Sequence, residues 1–413
     1  MLVVPQSTVC ATRTQGIPAK ESILLLPQAE ICQDRARENL TPVAAPIHVT
    51  AEPWLHTYSE IIDVRSPAEY AEDHWPGAIN LPVLDDAERA EVGTLYKQVD
   101  PFTARKRGAS LVAQNIARHL QTHFADKDRD YHPLIYCWRG GQRSASLALV
   151  LSQVGWQVTV LQGGYKTYRA WVRRQLQTLP QQFTYRVLCG PTGSGKTLLL
   201  HYLHQQGAQV LDLEELACHR GSLLGAEWGK PQPSQKSFES QLVQVFLKWD
   251  PAKPVWVEAE SAKVGQLHLP PALWQALTQA DCIEVQLPLE ERVKGLIAHY
   301  PHWIAHPQAL KEKLLPLKAR YGQARLQRWF ELIDAQDWPQ FVRELLLQHY
   351  DPTYQHGLQR NFNRIRARLE LPDLSETTLK KAATYLLEGQ FEVGLTGIPA
   401  LQSPSPPLAW ILR

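Results

Sequence analysis

RVLCGPTGSGKTLLLHYLHQQ, Arg186 to Gln206, decides how the second half of this chain is read. A short apolar run, RVLC, leads into GPTGSGKT, Gly190 to Thr197, which fits G-x-x-x-x-G-K-[ST] in full, and a leucine-rich run of helical character follows. Glycines let backbone N–H groups approach anionic oxygens closely, a lysine brings charge to a terminal phosphate, and a hydroxyl suits magnesium. Gly190, Gly193, Ser194, Gly195, Lys196 and Thr197 are therefore the expected phosphate-binding residues. A glycine-rich turn without a ligand is the alternative. Strand, loop, Lys-Thr pair and helix standing in register argue against it.

Further along the chain, AQVLDLE (Ala208–Glu214), PVWVEAE (Pro254–Glu260) and DCIEVQLP (Asp281–Pro288) alternate with helical stretches and predict an open parallel sheet. Glu258 and Glu260 at one strand end are candidates for magnesium or a bound water, with solvated carboxylates as the alternative; Asp212 and Glu214 are equally open. His219 and Arg220, in HRGS beside a glycine, suit a phosphate or substrate loop, or else a capped helix with a surface arginine. Arg292 reads as a lid arginine or a helix-surface charge. Beyond Glu290 the pattern predicts helices to about Leu387, with basic stretches at Lys311–Arg328 and Arg360–Arg368.

Toward the start of the chain a second alternating series appears. EIIDVR, GAINLP, PLIYCW and QVTVLQGG are strand-like, while ASLVAQNIARHL and RSASLALVLSQ are helix-like. The expected organisation is an extension (1–48), a parallel α/β domain (49–179), a phosphate-loop domain with a helical region (183–355) and a C-terminal helical segment with a Pro-rich tail (356–413). At 413 residues and 44% hydrophobic, each domain has enough apolar material for a core. The net charge of +2 neither demands nor forbids a nucleic acid, since local clustering governs binding. Six scattered cysteines without a C-x-x-C pair fit a reducing compartment. No apolar run approaches the roughly 20 residues of a membrane span, and no secretory pattern opens the chain. A cytoplasmic protein with no membrane partner is expected.

IYCWRGGQRSASLALVL, Ile135 to Leu151, puts Cys137 at a strand end, before a glycine loop with Arg143 and Ser144 at a helix start. Loop amides, a helix N-terminus and a guanidinium favour a thiolate and can cradle an oxyanion. A buried structural cysteine is the alternative, but it would leave Gly140, Gly141 and Arg143 without a shared purpose.

DVRSPAEYAEDHWPGAINLP (Asp63–Pro82) resembles the opening of rhodanese domains, and VLQGGYKTYRAWV (Val160–Val172) their close. The resemblance implies a rhodanese fold in which Cys137 carries a transferable chalcogen. Five residues separate Cys137 from Arg143, where common sulfurtransferases have four. That spacing is shared with cysteine-dependent phosphatases, which typically place His where Tyr136 stands. CWRGGQRS, GPTGSGKT, DLEELACHRGSLLG, QPSQKSFE and VEAESAKVG, in this order, resemble the tRNA 2-selenouridine synthase family over roughly Pro53 to Tyr354.

That resemblance implies a transferase that replaces sulfur by selenium in wobble 2-thiouridine of tRNA, with selenophosphate and geranyl diphosphate as co-substrates. No tightly bound cofactor is implied; magnesium is a candidate ion, and a selenophosphate supply enzyme a candidate partner. Cys137 would handle selenium, with Arg143 and the loop amides on the oxyanion. The phosphate loop would cradle the prenyl diphosphate, and Trp228, Phe238 or Trp256 would line a prenyl groove unless they are plain core. The basic stretches, with Tyr321, Trp329 and Phe362 interleaved, would meet tRNA. A persulfide carrier with a nucleotide-gated module, or a nucleotide kinase with an accessory rhodanese domain, are the competing readings.

Overall fold

The computed structural model describes residues 44–389. The proposed extension, up to residue 43, and the Pro-rich tail lie outside the described residues. Five short strands, β1 (Ile47–Thr50), β2 (Glu60–Asp63), β3 (Ile79–Asn80), β4 (Pro133–Tyr136) and β5 (Val158–Leu161), form a parallel sheet in the order β1-β5-β4-β2-β3. β4 and β5 are buried along their whole length, as apolar runs must be in a sheet covered on both faces. β1 crosses the boundary expected at 48/49: Ile47 and His48 already pair with Val158 and Thr159. As a mostly exposed edge strand of four residues it is too short for the alternation of Ile47 and Val49 to mark it.

The helices of this half start where the chain supplies caps. α1 (Pro67–Glu72) has a capping box between Ser66 and Glu69 and proline in its first turn. α2 (Asp86–Gln98) and α3 (Pro101–Gln121) are N-capped by Asp85 and Asp100 and pack together as a helical hairpin. α4 (Gln142–Val154) ends on Gly155 in the left-handed conformation, and α5 (Tyr165–Thr178) opens directly after Gly164.

The second sheet comprises β6 (Tyr185–Cys189), β7 (Gln209–Leu211) and β8 (Val255–Glu258), then, after a small antiparallel ribbon of β9 (Lys263–Val264) and β10 (Leu267–His268), β11 (Asp281–Gln286) and β12 (Ile365–Glu370). Its order is β12-β11-β6-β8-β7, all parallel. Around it lie α6 (Lys196–Gln205), α7 (Leu213–Ala217), α8 (Gln235–Leu247) and α9 (Pro271–Thr278). A helical block follows: α10 (Leu289–His299), α11 (Pro301–Ala305), α12 (Pro307–Leu314), α13 (Lys318–Asp334), α14 (Trp338–Leu345) and α15 (Asp351–Asn361). It has a core of its own around Trp303, Leu310, Trp329 and Phe341.

β12 corrects the expectation of helices alone after Glu290. Ile365, Ala367 and Leu369 point one way and Arg364, Arg366 and Arg368 the other, a period of two that the density of arginines disguised as a basic helix. α15 also runs through the boundary expected at 355/356, and α16 (Glu376–Leu387) packs on α6. The C-terminal segment, as far as Gly389, completes the phosphate-loop domain and is not a separate one. Between the two sheets one apolar cluster is continuous: Tyr136, Tyr168, Trp171 and Leu176 from the first half meet Phe238, Leu242, Phe246 and Leu273 from the second.

Candidate active site

Cys137 follows β4, at the carboxyl end of its sheet, where the chain turns sharply before α4. Its sulfur accepts from the Gly141 amide at 3.3 Å and from the Ser144 hydroxyl at 3.2 Å. Burial pushes the thiol up, but the Ser144 hydroxyl and the amides of Ser144, Gly141 and Arg139 outweigh it and hold Cys137 below its ordinary value. The start of α5 clamps the loop from the other side, with the Tyr165 amide donating to the Cys137 carbonyl at 2.8 Å. Gly164, at φ +59°, must be glycine here: a Cβ would stand 2.2 Å from the Cys137 carbonyl oxygen.

Arg143 is nearby but engaged. Its guanidinium donates to Glu69 of α1 at 2.8 Å, and Arg89 reaches the other oxygen of the same carboxylate at 3.1 Å. An oxyanion must therefore compete with Glu69 for Arg143. Arg139, inside the loop, is exposed and makes no ion pair among the described residues. Asp63, at the end of β2, is structural: its carboxylate accepts from Arg65 Nη2 at 2.6 Å, and both side chains are buried.

In the second half, β6 delivers Gly190 to Thr197 into a loop that closes on α6, with Gly190, Gly193 and Gly195 all at positive φ. A Cβ on Gly190 would meet the Val285 carbonyl at 2.4 Å, so the loop can lie on β11 only without one. Lys196 Nζ donates to the Gly190 carbonyl at 3.0 Å, folded back along the loop that a phosphate would fill. Ser194 is buried. The loop floors a cleft of about 1270 Å³ whose walls include Thr197, Asp212, Glu214, Arg220, Glu258 and Glu260.

Glu214, Glu258 and Glu260 converge, with one oxygen of each within 4.8 Å of the others. β7 and β8 are hydrogen-bonded neighbours, so the strand ends that were ambiguous one by one become a single cluster. Glu214 is pushed up to about 9 by burial, then by Glu258 and Glu260, against the pull of Lys196. Glu260 is pushed up to about 7 by burial and Glu258. Glu258 is buried and raised in the same direction, and its Oε1 has no hydrogen-bond partner among the described residues. Thr197 Oγ1 donates to Glu214 at 3.4 Å. Three carboxylates and a hydroxyl make an oxygen-only donor set, which fits a hard divalent cation such as magnesium.

Other expectations change. His219 stays out of the cleft wall, with Nδ1 buried. Arg220 lines the cleft but braces it, paired with Glu227 at 3.0 Å, donating to the His299 carbonyl at 3.1 Å and stacked on Tyr300. Arg292 is neither lid nor surface charge: it is buried, bidentate to Asp351 and bonded to the Thr192 carbonyl at 2.9 Å, supporting the phosphate loop from behind. Phe238 and Trp256 are core, and Trp228 is exposed and stacked on His306, so none forms a groove by the loop. Trp329 and Phe362 are likewise buried and present no face for stacking bases. Glu69 gave no signal in the sequence, because it acts on Arg143 from 74 residues away.

Residues 183–384 match the family profile described as the tRNA 2-selenouridine synthase AAA domain, and residues 50–170 that of a rhodanese-like domain. A tRNA 2-selenouridine synthase of Nitrosomonas europaea is 37% identical over 264 residues, 62% of this chain and 68% of that one. One from a Sulfurovum species is 32% identical over 334 residues, covering 74% of this chain and 90% of its own length. A third, from Psychromonas ingrahamii, is 30% identical over 343 residues, 76% and 92% of the two chains. With the thiol loop, the phosphate loop and this likeness together, the chain belongs to the tRNA 2-selenouridine synthase family.

Proposed function

We propose that this enzyme converts wobble 2-thiouridine in tRNA to 2-selenouridine in two group transfers, one for each half of the molecule. The observation that carries this reading is the pairing, in one folded body, of an amide-cradled thiol with a phosphate loop backed by three carboxylates.

In the first transfer the thiocarbonyl sulfur attacks C1 of geranyl diphosphate. A carbon–sulfur bond forms, the carbon–oxygen bond breaks, and diphosphate departs with the electron pair. The amides of Gly190 to Thr197 and the Lys196 ammonium bind the departing diphosphate, where charge develops. Thr197, Glu214, Glu258 and Glu260 would hold magnesium, which supplies further charge for the leaving group. In the second transfer the selenium of selenophosphate attacks C2, a carbon–selenium bond forms and the carbon–sulfur bond breaks as geranylthiol leaves with the electron pair; water then cleaves the selenium–phosphorus bond and phosphate departs. Alkylation is what makes that sulfur a leaving group. Cys137 handles the selenium, with the loop amides and Arg139 meeting the phosphate oxygens and Arg143 shared with Glu69. Lys313, Lys318 and Arg325, exposed on α12 and α13 and without ion pairs among the described residues, contact tRNA phosphates.

The test is mass spectrometry of nucleosides from 2-thiouridine tRNA incubated with the protein, geranyl diphosphate and selenophosphate. Wild type should yield selenouridine, while Cys137→Ala should stop at the S-geranyl nucleoside. An unaltered nucleoside with wild-type protein that binds tRNA would overturn the proposal and favour a persulfide carrier.

A further inference from the structure

Beside the phosphate cleft, α10, α11, α12 and α14 leave an apolar chamber of about 70 Å³ between them. Leu224, Trp303, Leu310, Phe341 and Leu345 wall it. The one polar atom of Trp303 is already satisfied by the Leu224 carbonyl at 3.2 Å, so that side chain offers only carbon to an occupant. At its other end the chamber is bounded by Thr192, Ser222, Tyr300 and Tyr350, all of which also line the cleft over the phosphate loop. Leu296 joins the two spaces: it lies against the loop so closely that a Cβ on Gly193 would be 3.0 Å from it.

We infer that this chamber receives the far end of the hydrocarbon tail of the diphosphate ester and sets its length. The inference rests on the prenyl-donor reading and deepens it. A ribose or base placed here would leave its polar groups unpaired, whereas a hydrocarbon loses nothing. Water gains little in a space lined by carbon. Size then decides which hydrocarbon. An apolar cavity of about 150 Å³ takes up benzene; this one is about half that and admits the end of a short chain, with the preceding carbons running past Leu296 and Tyr300. Phe341 and Leu345, both buried, are among the residues that bound this space. A longer tail would have to displace them.

The full-length protein should be titrated with inorganic diphosphate, geranyl diphosphate and farnesyl diphosphate, and the transferred group identified on the nucleoside. Each buried methylene contributes about fourfold in affinity, so wild type should bind geranyl diphosphate at least tenfold tighter than inorganic diphosphate. Phe341→Ala should move the preference at least tenfold toward farnesyl. Ile297→Trp, at a half-exposed position on the chamber wall, should weaken geranyl diphosphate at least tenfold and leave inorganic diphosphate unchanged; it carries the test if the Phe341 variant fails to fold. Unaltered tail preference in a folded Ile297→Trp protein, or equal weakening of both ligands, would overturn the chamber's role. Absence of any geranyl transfer by wild type would instead overturn the prenyl-donor reading itself.

Discussion

Ser144 shows how one hydroxyl can tune a nucleophile. It donates to the Cys137 sulfur at 3.2 Å and heads the interactions that hold this buried thiol below its ordinary pKa. A hydrogen bond to a charged group contributes roughly 1.5–3 kcal/mol. Ser144→Ala should therefore move the pH midpoint of Cys137 alkylation upward and slow alkylation at neutral pH by roughly tenfold, read from iodoacetamide kinetics. The two arginines of the same loop should separate as well. Because Arg143 is neutralised by Glu69 and Arg139 is exposed, Arg139→Ala should raise the KM for selenophosphate by roughly tenfold, whereas Arg143→Ala should chiefly lower the melting temperature. Cys137 and Gly190–Thr197 could be read from the sequence because a strand end, a glycine loop and a helix start are local and contiguous. Glu69 could not, since nothing near Arg143 in the chain announces a partner on α1. The carboxylate cluster lies between these cases: its members stood out as acidic strand ends, but only the pairing of β7 with β8 brings them together.

At the scale of elements, β12 and the helices α12 and α13 divide the basic stretches into two kinds. Arg364 and Arg366 pair with Asp281, each at 3.1 Å, and Arg368 with Glu284 at 2.8 Å, so their charge is spent along the edge of the sheet. Lys313, Lys318 and Arg325 are exposed on the helical block, and Lys313 is close enough to depress the His219 pKa after burial has done so. Replacing these three by alanine should reduce the salt dependence of tRNA binding by roughly two units of log K per log salt, at 0.7–0.9 per phosphate contact. The same replacement at Arg364, Arg366 and Arg368 should leave that slope unchanged; equal losses from both sets would refute the assignment. Charge density alone could not make this division, because it does not show which arginines already face a carboxylate on the next strand. The same limit applies to the aromatics: Trp329 and Phe362 lie among basic residues in sequence but face inward, since the apolar side of each element is fixed by what it packs on.

Across the whole molecule, the two halves meet through more than an apolar seam. Arg169 of α5 pairs with Glu239 of α8, Lys236 reaches Glu72 at 2.6 Å, and Ser234 donates to the Glu72 carbonyl. On the first half's side of the seam, Trp75 stacks on Tyr168 with ring centroids 5.0 Å apart, and Trp54 on Trp171 at the same distance. Beneath this seam lies Asp73, raised above its ordinary value by burial, against the pull of the Tyr165 and Ser240 hydroxyls. A carboxyl raised in the folded state contributes stability below its unfolded pKa and loses it as pH rises through the folded value. Asp73→Asn should therefore stabilise the protein by roughly 1 kcal/mol at pH 8, with the gain vanishing in acid, as thermal melts across pH would show.

The continuous core also has a meaning for inheritance. Many two-domain genes can be cut at the linker, and each piece then folds and can recombine with new neighbours. Here a cut at Leu179–Gln182 would strip Trp171 and Leu176 from Phe246 and Leu273, leaving two fragments each with a bare apolar wall. Each fragment would have to cover that wall, most simply with the other, so the thiol and the phosphate loop are bound to travel together whether one chain carries both or two chains share them.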